Sequence, residues 1–469
     1  MKILLISPTI DAEKRTNKGL MMPQLALYIL EGLTPPWHEV KIVEEEAENI
    51  NLDEPCDLVG ISCMTANAPR AYELSREFRN RGKTVVLGGV HPSILPDEAL
   101  LNSDCVVTGE AEGVWEEVLR DFQNKRLKRN YHNPLPDLGK YVPKDFRKII
   151  KKRLFNLIPI ITTRGCPYNC DFCCVTNLFG KNIRHIPIEN VVRDIRESGS
   201  KNFMFLDDNI IGHPKYAKEL FKALKPLKIK WVGQSSVSLL VRDTELMRLA
   251  ADSGCVGLFF GLESVSVDQL KTMHKAIKEI EKLEDGLKKI KKMGILIHAS
   301  MVFGFDNDTL DVFRETVSFL IKNKVSTASF NILTPYPGTK THDDLKNANR
   351  LLTTDWKYYD HNTVVFHPEK MTPYELQAGK TNAKKKFYSR TSIAKRLFGN
   401  LYSPFIYLLT NYGHRKQVKV EKKRIARLKT ELFSGNGHEK GMCGLSMPNG
   451  NGNGTAVGAH LDVKPSFMD

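Results

Sequence analysis

The feature that most restricts the fold of this chain is a regular alternation of short apolar runs with helical patterns. In the first part of the sequence, runs rich in Val, Ile and Leu end in small residues, and helical periodicity recurs between them. We therefore predict an N-terminal doubly wound parallel sheet, in which ligands bind beyond the carboxyl ends of the strands. The predicted strands are residues 2–8, 38–45, 57–64, 84–89 and 104–109, and the predicted helices lie near 22–33, 67–81 and 113–124.

Small and polar residues follow these predicted strands, at the edge of the sheet where a ligand would approach the backbone. Adjacent glycines permit close contact between the backbone and a bulky ligand, although Gly88 and Gly89 could form only a tight turn. No GxGxxG motif follows the first strand, which disfavours a dinucleotide. The candidate ligand-binding residues at these strand ends are Ser62, Thr65, Gly88, Gly89, His91, Gly109 and Glu110.

A second series of alternating strands and helices begins near residue 157 and predicts a partial (β/α)6 barrel. A barrel places its chemistry at the carboxyl ends of its strands, where polar residues recur in this sequence. Some of those polar residues could instead be helix N-caps. The predicted strands are Leu157–Thr163, Phe203–Leu206, Ile229–Gln234, Val256–Phe260, Ile295–Val302 and Thr327–Leu333, and the predicted helices are Ile188–Glu197, Pro214–Leu224, Thr244–Asp252, Ile277–Lys292 and Thr309–Lys322.

Cys166, Cys170 and Cys173 form a CxxxCxxC cluster directly after the first of these barrel strands. Three thiolates can bind three irons of a [4Fe–4S] cube and leave the fourth iron open for a substrate. Structural zinc is the rival interpretation, but it usually takes four ligands from paired motifs, and no second pair stands at a suitable distance. Buried, unreactive cysteines are the third alternative, which the close spacing of three of the nine cysteines disfavours.

The motifs after the cysteines identify a resemblance to a known family. FLDDN, GLES, VFGFDNDT and LTPYPGT follow in order, and with CxxxCxxC they resemble a radical S-adenosylmethionine (SAM) enzyme. The whole chain, over roughly residues 1–370, resembles the cobalamin-binding class of that family. The resemblance implies a [4Fe–4S] cluster whose free iron chelates SAM, so that an electron from the cluster can break a carbon–sulfur bond.

The resemblance also assigns roles by position. It implies that Cys166, Cys170 and Cys173 hold the cluster, while Cys174 lies outside the ligand spacing and is expected to pack. Phe172 stands where the family contacts the SAM adenine. The other residues implied to contact SAM are Asp207, Asp208 and Asn209 at the methionine amine, and Gln234, Ser236 and Glu263 at the ribose or carboxylate.

By the same resemblance the N-terminal sheet binds cobalamin through the seven strand-end residues named above. The family's DxHxxG motif is absent, so we expect no histidine to ligate cobalt from below. A domain that binds nothing remains an alternative.

The function implied is methyl transfer to an unactivated carbon of a hydrophobic small molecule, such as a tetrapyrrole, bacteriochlorophyll precursor or lipid. An external electron donor of the flavodoxin or ferredoxin type is expected. Oxidative ring closure in tetrapyrrole biosynthesis is the alternative reaction. An iron–sulfur or cobalamin sensor without turnover is the alternative from another class.

The length of 469 residues predicts several domains. We predict a cobalamin-binding domain at 1–130, a linker at 131–152, the barrel at 153–345, a basic, mainly helical region at 346–434 and a disordered tail at 435–469. Nine cysteines, an odd number, favour a reducing cytoplasm. We expect no secretory signal, and no apolar run approaches the roughly 20 residues that span a bilayer.

The net charge of +15 is concentrated toward the C-terminus. Basic clusters at residues 384–386, 395–396, 415–416 and 422–424 flank the apolar, aromatic stretch Leu397–Leu409. This pattern suits contact with a membrane surface, although Gly399 and Pro404 interrupt the helix. A helical cap on the barrel with a solvated basic face is the alternative. No RNA-binding domain is evident, so we expect no nucleic acid.

Overall fold

The computed structural model describes residues 1–10, 23–133, 135–139, 157–266 and 280–433. These residues form two six-stranded parallel sheets and a helical C-terminal region. The predicted fold class is therefore confirmed. The predicted disordered tail, most of the predicted linker and the first residues of the helix predicted from Ile277 lie outside the described residues.

The first sheet has the strand order β2-β1-β3-β4-β5-β6, with every neighbouring pair parallel. Its strands are β1 (Lys2–Ser7), β2 (Glu39–Glu44), β3 (Leu58–Ser62), β4 (Thr84–Gly88), β5 (Cys105–Gly109) and β6 (Asn130–Asn133). Ile3 and Leu5 face one apolar core and Leu4 and Ile6 face the other, because successive side chains of a strand alternate between faces. The order reverses between β1 and β3, which is where such sheets bind ligands.

Five helices cover this sheet, and one strand lies where the sequence predicted a linker. The helices are α1 (Leu25–Leu33), α2 (Ala68–Asn80), α3 (Val90–Ile94), α4 (Pro96–Leu101) and α5 (Trp115–Gln123). Residues 131–133 belong to β6, which pairs with β5, so the first unit extends further than the predicted boundary at residue 130. The strand was missed because its sequence, NYHN, has only one buried apolar residue, Tyr131.

The second sheet has the order β7-β10-β11-β12-β13-β14 and is open between its first and last strands, as a partial barrel. Its strands are β7 (Leu157–Ile160), β10 (Asn202–Phe205), β11 (Lys230–Ser235), β12 (Cys255–Glu263), β13 (Leu296–Phe303) and β14 (Thr327–Ile332), and β8 (Thr163–Arg164) pairs with β9 (Arg184–His185) in a separate antiparallel ribbon. Its helices are α6 (Val175–Phe179), α7 (Ile188–Ser198), α8 (Pro214–Leu224), α9 (Val237–Arg242), α10 (Thr244–Asp252), α11 (Ile280–Lys292), α12 (Asp311–Lys322) and α13 (Lys340–Asn347).

The C-terminal region adds α14 (Pro373–Phe387), α15 (Arg390–Leu397) and α16 (Pro404–Glu431). The helices pack on the barrel: the buried Arg396 guanidinium donates to the carbonyls of Val325 (2.9 Å) and Ser326 (2.8 Å) beside β14. The predicted interruption of the helix is confirmed: α15 ends at Leu397, Gly399 lies in the turn that follows, and Pro404 begins α16, where its missing N–H has no cost. None of the described helices combines the length and apolar character needed to cross a membrane.

Candidate active site

The three cysteines of the CxxxCxxC motif lie on one loop between β8 and α6. The Cys173 N–H donates to the Cys170 carbonyl (3.0 Å), and the Cys166 N–H donates to the Gly180 carbonyl (3.4 Å), so the loop closes on itself. Burial raises the pKa of the Cys173 thiol to about 12, and the neighbouring thiols of Cys174, Cys170 and Cys166 add to this rise in that order. The loop therefore holds the three sulfur atoms close enough for their charges to interact.

Gly165, directly before the first cysteine, fixes the start of this loop. Its φ of +96° lies in the left-handed region. A Cβ there would stand 2.8 Å from the Asn182 carbonyl oxygen, 3.0 Å from that of Gly180 and 3.2 Å from that of Phe179. Only glycine fits such a position without moving the backbone. The loop is thus held in a cradle of carbonyl groups that admits no side chain.

The donor set fits a cluster better than a single ion. Among the described residues, no three His, Cys, Asp or Glu side chains converge on one metal ion. In a [4Fe–4S] cube each thiolate binds a different iron, so the sulfurs must surround a volume instead of meeting at a point. The CxxxCxxC spacing on one closed loop supplies three thiols for such a cube.

Asp207, at the end of β10, anchors the segment that leads into the cysteine loop. Its Oδ1 accepts hydrogen bonds from the Thr162 N–H (3.0 Å), the Thr162 Oγ1 (2.7 Å), the Thr163 Oγ1 (2.6 Å) and the Thr163 N–H. The side chain is fully buried, and this burial raises the pKa of the carboxyl despite the four hydrogen bonds. Asp207 therefore ties the end of β10 to Thr162 and Thr163, just before the cysteine loop.

Three buried polar atoms at the ends of β10 and β11 have no hydrogen-bond partner among the described residues. They are Asp207 Oδ2, Asn209 Nδ2 and Ser235 Oγ. A buried polar group without a partner is costly, so atoms of this kind commonly face a ligand or an ordered water. Two acceptors and one donor in one place fit a zwitterionic ligand such as the methionine end of SAM.

Two neighbouring side chains, Asp208 and Asn209, complete this polar edge. Burial raises the pKa of Asp208 to about 6, with the charge of Asp207 as the next cause. Asn209 Oδ1 accepts from the Ser236 N–H (3.2 Å), which ties the ends of the two strands together. The predicted residues Asp208, Asn209 and Ser236 are therefore brought to one place.

Tyr168, which sequence reasoning missed, links this edge to the cysteine loop. Its hydroxyl lies 3.2 Å from Ser236 Oγ and 3.4 Å from Ser238 Oγ. Tyr168 stands between the first two cysteines, and that position was the available signal. Gln234 lies at the same strand end with an exposed side chain, and its carbonyl accepts from the Ile210 N–H (3.0 Å).

Glu263 and Phe172 stand on the same side of the barrel. Glu263 ends β12 with a φ of +63°, at a point where the register with β13 is irregular. A non-glycine residue in this conformation is strained by roughly 1–2 kcal/mol, and strain of this kind is common at functional sites. Phe172 packs edge-on against Phe305, with ring centroids 6.0 Å apart.

A cavity of about 560 Å³ lies beyond the carboxyl ends of β1, β3, β4 and β5. Five of the seven residues predicted there line it, namely Ser62, Gly88, Gly89, Gly109 and Glu110. The second unit contributes Ile161, Arg164, Leu178 and Phe179, of which the last two belong to α6 at the end of the cysteine loop. The cavity therefore lies between the first sheet and the cysteine loop.

Close packing of neighbouring strand ends forms part of the cavity wall. Gly89 has a φ of +98°, and a Cβ there would stand 2.7 Å from the Cys63 carbonyl oxygen and 2.9 Å from Ser62 Oγ. The Ser93 hydroxyl donates to the Gly89 carbonyl (2.7 Å) and accepts from the Gly109 N–H (2.9 Å), which joins two strand ends. The glycines let these strand ends pack closely at the cavity wall, where the B12 binding class of proteins places its cofactor.

Two predicted cobalamin residues, Thr65 and His91, do not line this cavity. His91 is fully buried, its Nε2 lies 3.2 Å from Glu98 Oε1, and its ring packs between Tyr72 and Trp356. Thr65 is likewise buried outside the cavity lining. Short helical segments follow β3 and β4. Thr65 and His91 lie in these segments, and their side chains point into the protein interior. No histidine stands among the described cavity-lining residues.

Glu110 lines the cavity, but two arginines of the second unit already hold its carboxylate. Arg164 pairs with both Glu110 and Glu112, and Arg184 pairs with Glu110 and donates to the Pro136 carbonyl (2.9 Å). The Glu110 side chain is only 2% exposed, so this is a buried ion pair between the two units. Sequence reasoning missed both arginines, because their partner lies more than 50 residues away.

Comparison with known proteins agrees with this geometry. Residues 160–320 match the model of the radical SAM superfamily, and residues 28–119 match that of the B12 binding domain. Two full-length relatives come from Chlorobaculum tepidum. Bacteriochlorophyllide d C-8(2)-methyltransferase is 33% identical over 86% of this chain and 93% of its own length. Bacteriochlorophyllide d C-12(1)-methyltransferase is 32% identical over 85% of this chain and 90% of its own length.

A solved structure, that of the cobalamin-dependent SAM radical enzyme OxsB with aqua-cobalamin and SAM bound, has the same fold. Its TM-score is 0.66, and the match covers 92% of this chain and 75% of OxsB at 16% identity, so it supports the fold alone. Fold and site define a radical SAM enzyme with a second cofactor domain. The chain belongs to the cobalamin-binding class of radical SAM enzymes, and its full-length relatives are methyltransferases. The predictions of a radical SAM methyltransferase and of a [4Fe–4S] cluster, SAM and cobalamin as cofactors are confirmed.

Proposed function

We propose that this enzyme transfers a methyl group to an unactivated carbon of a hydrophobic small molecule. The observation that carries the proposal is the position of the cavity. Leu178 and Phe179, at the end of the cysteine loop, line the cavity at the strand ends of the first sheet. Two cofactor sites that share a wall in this way bring both cofactors within reach of one substrate.

The proposed residue roles follow from this arrangement. Cys166, Cys170 and Cys173 would hold the cluster, and Phe172, Asp208, Asn209, Gln234, Ser236 and Glu263 would surround SAM. Ser62, Gly88, Gly89 and Gly109 would contact cobalamin. Asp207 would fix the segment before the cysteine loop through Oδ1, which accepts from Thr162 and Thr163, and would face SAM through Oδ2. Glu110 would act through Arg164 and Arg184 by holding the two units together.

When bound, the cofactors supply radical formation and a transferable methyl group, which leaves binding, orientation and exclusion of water to the protein. Phe172, Leu178 and Phe179 provide apolar surface on and beside the cysteine loop. Asn209 and Ser236 fix the relative position of two strand ends. No acid–base group is required for this chemistry.

The proposed substrate is a tetrapyrrole such as a bacteriochlorophyll precursor, with a lipid as the second choice. The two full-length relatives are named for bacteriochlorophyllide d. We place the enzyme in the cytoplasm, with a flavodoxin or ferredoxin as electron donor. A hydrophobic substrate of this kind partitions into membranes, so the function also calls for contact with a membrane surface.

Anaerobic turnover tests the proposal. The reconstituted enzyme, with cobalamin, SAM, reductant and a bacteriochlorophyllide, should form 5′-deoxyadenosine, S-adenosylhomocysteine and a product heavier by one CH₂. Absence of both SAM-derived products would contradict methyl transfer. A product without added mass would instead indicate oxidative ring closure, and a Cys170→Ala variant that cleaves SAM as well as the wild type would exclude the cluster from the reaction.

A further inference from the structure

Exposed apolar side chains of this protein are concentrated in one short segment. Among the described residues, sixteen large apolar side chains are exposed, and eight of them lie between residues 398 and 420. These eight are Phe398, Leu401, Tyr402, Phe405, Ile406, Leu409, Tyr412 and Val420. Single exposed apolar residues are ordinary, but a contiguous group marks an interaction surface.

The apolar residues of α16 lie on the face opposite to the barrel. Phe405, Leu409 and Tyr412 follow the i, i+4, i+7 spacing that places side chains on one face of a helix. The buried residues of the same helix, Tyr407, Asn411, Val418 and Leu428, fall on the other side. The Tyr407 hydroxyl donates to the Ile393 carbonyl (2.7 Å), which holds that side against α15. The apolar stripe therefore faces outward.

The same face becomes basic further along the helix. Lys416, Lys419 and Lys423 continue the spacing that begins at Phe405, and all three are exposed. None of the three has an acidic partner within the described part of the chain. Over residues 390–431 the sequence contains eleven lysines and arginines and only two glutamates. We call the outward residues Phe405, Leu409, Tyr412, Lys416, Lys419 and Lys423 the α16 stripe.

We propose that the α16 stripe, together with Phe398 and Leu401 in the preceding turn, docks the enzyme on an anionic lipid bilayer. Aromatic and aliphatic side chains at one end enter the headgroup region, while the lysines at the other end meet anionic headgroups. A second copy of the chain is a poorer occupant, because two such stripes would bring like charges together. Residues 434–469 are a poorer occupant as well, since that segment is rich in Gly and Asn and poor in large apolar residues.

This inference deepens the membrane contact in the proposed function, but its test needs no turnover. Failure to bind vesicles would leave methyl transfer intact, and an inactive enzyme could still bind vesicles. The holoenzyme, as the full chain, is sedimented with vesicles of phosphatidylcholine alone or mixed with phosphatidylglycerol, at low and high salt. It should bind only the anionic vesicles, and salt should weaken the binding.

Matched variants distinguish the effect of the α16 stripe on vesicle binding from the effect of surface charge elsewhere on the protein. Each lysine near an anionic surface changes partitioning roughly five-fold, so Lys416→Gln/Lys419→Gln should weaken binding roughly 25-fold. The control Lys289→Gln/Lys292→Gln removes the same charge from exposed positions on α11 and should bind like the wild type.

The apolar half of the stripe is tested in the same way. Phe405→Ser/Leu409→Ser should abolish binding, whereas Trp37→Ser/Leu101→Ser, at exposed positions of the first unit, should leave it unchanged. No binding of the full chain to anionic vesicles, or equal effects of the stripe and control variants, would overturn the proposal. A stripe variant that converts a dimer to a monomer in sedimentation velocity, with unchanged vesicle binding, would show a subunit interface instead.

Discussion

At the scale of single residues, Asp207 holds the segment before the cysteine loop in place through hydrogen bonds. One of its oxygens accepts four hydrogen bonds from Thr162 and Thr163, and the side chain has no exposed surface. Hydrogen bonds to a charged group contribute about 1.5–3 kcal/mol each, which offsets part of the cost of burying the carboxylate. The other oxygen, Oδ2, has no partner among the described residues, so the SAM contact suggested by the FLDDN motif stays a prediction.

Substitution at Gly165 should prevent cluster assembly. In Gly165→Ala, the new Cβ would meet three carbonyl oxygens at 2.8–3.2 Å, so the loop must move and the cysteines with it. We expect little iron per chain after anaerobic reconstitution. In the control Gly199→Ala, the φ of +65° is also left-handed but no atom lies within 4 Å, so only roughly 1–2 kcal/mol of backbone strain is added. Equal iron contents in the two variants would refute the role of the cradle.

At the scale of elements, both units place their candidate sites where parallel strands end. The turn that follows each strand then decides which way its residues face. Gly89 and Gly109 face the cavity, whereas His91, two residues after Gly89, points into the protein toward Glu98. A pattern of apolar strands locates such an edge, but it does not determine the direction of a side chain in the turn.

Gly89→Ala should weaken cobalamin binding specifically. The Cβ would stand 2.7 Å from the Cys63 carbonyl oxygen, which forces the strand ends of β3 and β4 apart at the cavity wall. We expect the variant to lose corrin absorbance during gel filtration while its iron content stays that of the wild type. Gly82→Ala is the control, since its φ is +72° but nothing lies within 4 Å. Retention of cobalamin by both variants would contradict the assignment of this wall.

Asp308, in the loop after β13, makes the free energy of unfolding depend on pH. Its carboxylate accepts from the N–H groups of Gly304 (2.9 Å) and Phe305 (3.1 Å), and burial raises its pKa to about 6. The folded state thus binds a proton more tightly than the unfolded state between roughly pH 4 and 6. Through this group, the free energy of unfolding falls as the pH rises across that window and is constant above it.

The variant Asp308→Asn keeps the acceptor oxygen and removes the titration. Relative to the wild type, its free energy of unfolding should rise between about pH 4 and 6 and then level off, as measured by denaturant unfolding of the apoprotein at several pH values. Asp285→Asn, at an exposed site on α11, serves as the control. A difference between variant and wild type that does not change with pH would refute this account.

In the whole molecule, a few buried polar contacts join the two sheets. Glu110 pairs with Arg164 and Arg184, and the indole N–H of Trp356 in the C-terminal region donates to the Glu98 carboxylate (3.0 Å) in the first unit. Arg164 lies two residues before Cys166 and also lines the cavity. The contact that joins the units therefore also lies between the two cofactor sites.

Glu110→Gln should weaken the packing of the first unit on the second. The amide cannot neutralise two buried arginines, and breaking a buried ion pair costs about 3–5 kcal/mol. We expect a lower midpoint in chemical denaturation and weaker retention of cobalamin. The control Glu117→Gln removes an ion pair with Lys128 in which both side chains are at least one-third exposed, so it should cost less than about 1 kcal/mol. If both variants lowered the denaturation midpoint equally, burial of the Glu110 ion pair would add nothing to the stability of the protein.

The sequence by itself determined the two parallel sheets, the partial barrel and the cluster-binding motif. These depend on local periodicity and on the spacing of Cys166, Cys170 and Cys173, which lie within eight residues of each other. The tertiary structure alone decided that Arg164 and Arg184 hold Glu110, that His91 faces away from the cavity and that the apolar residues of α16 face outward. The reason is physical: the two arginines and Glu110 lie more than 50 residues apart in the chain, and the packing of one element on another fixes which face of each is covered.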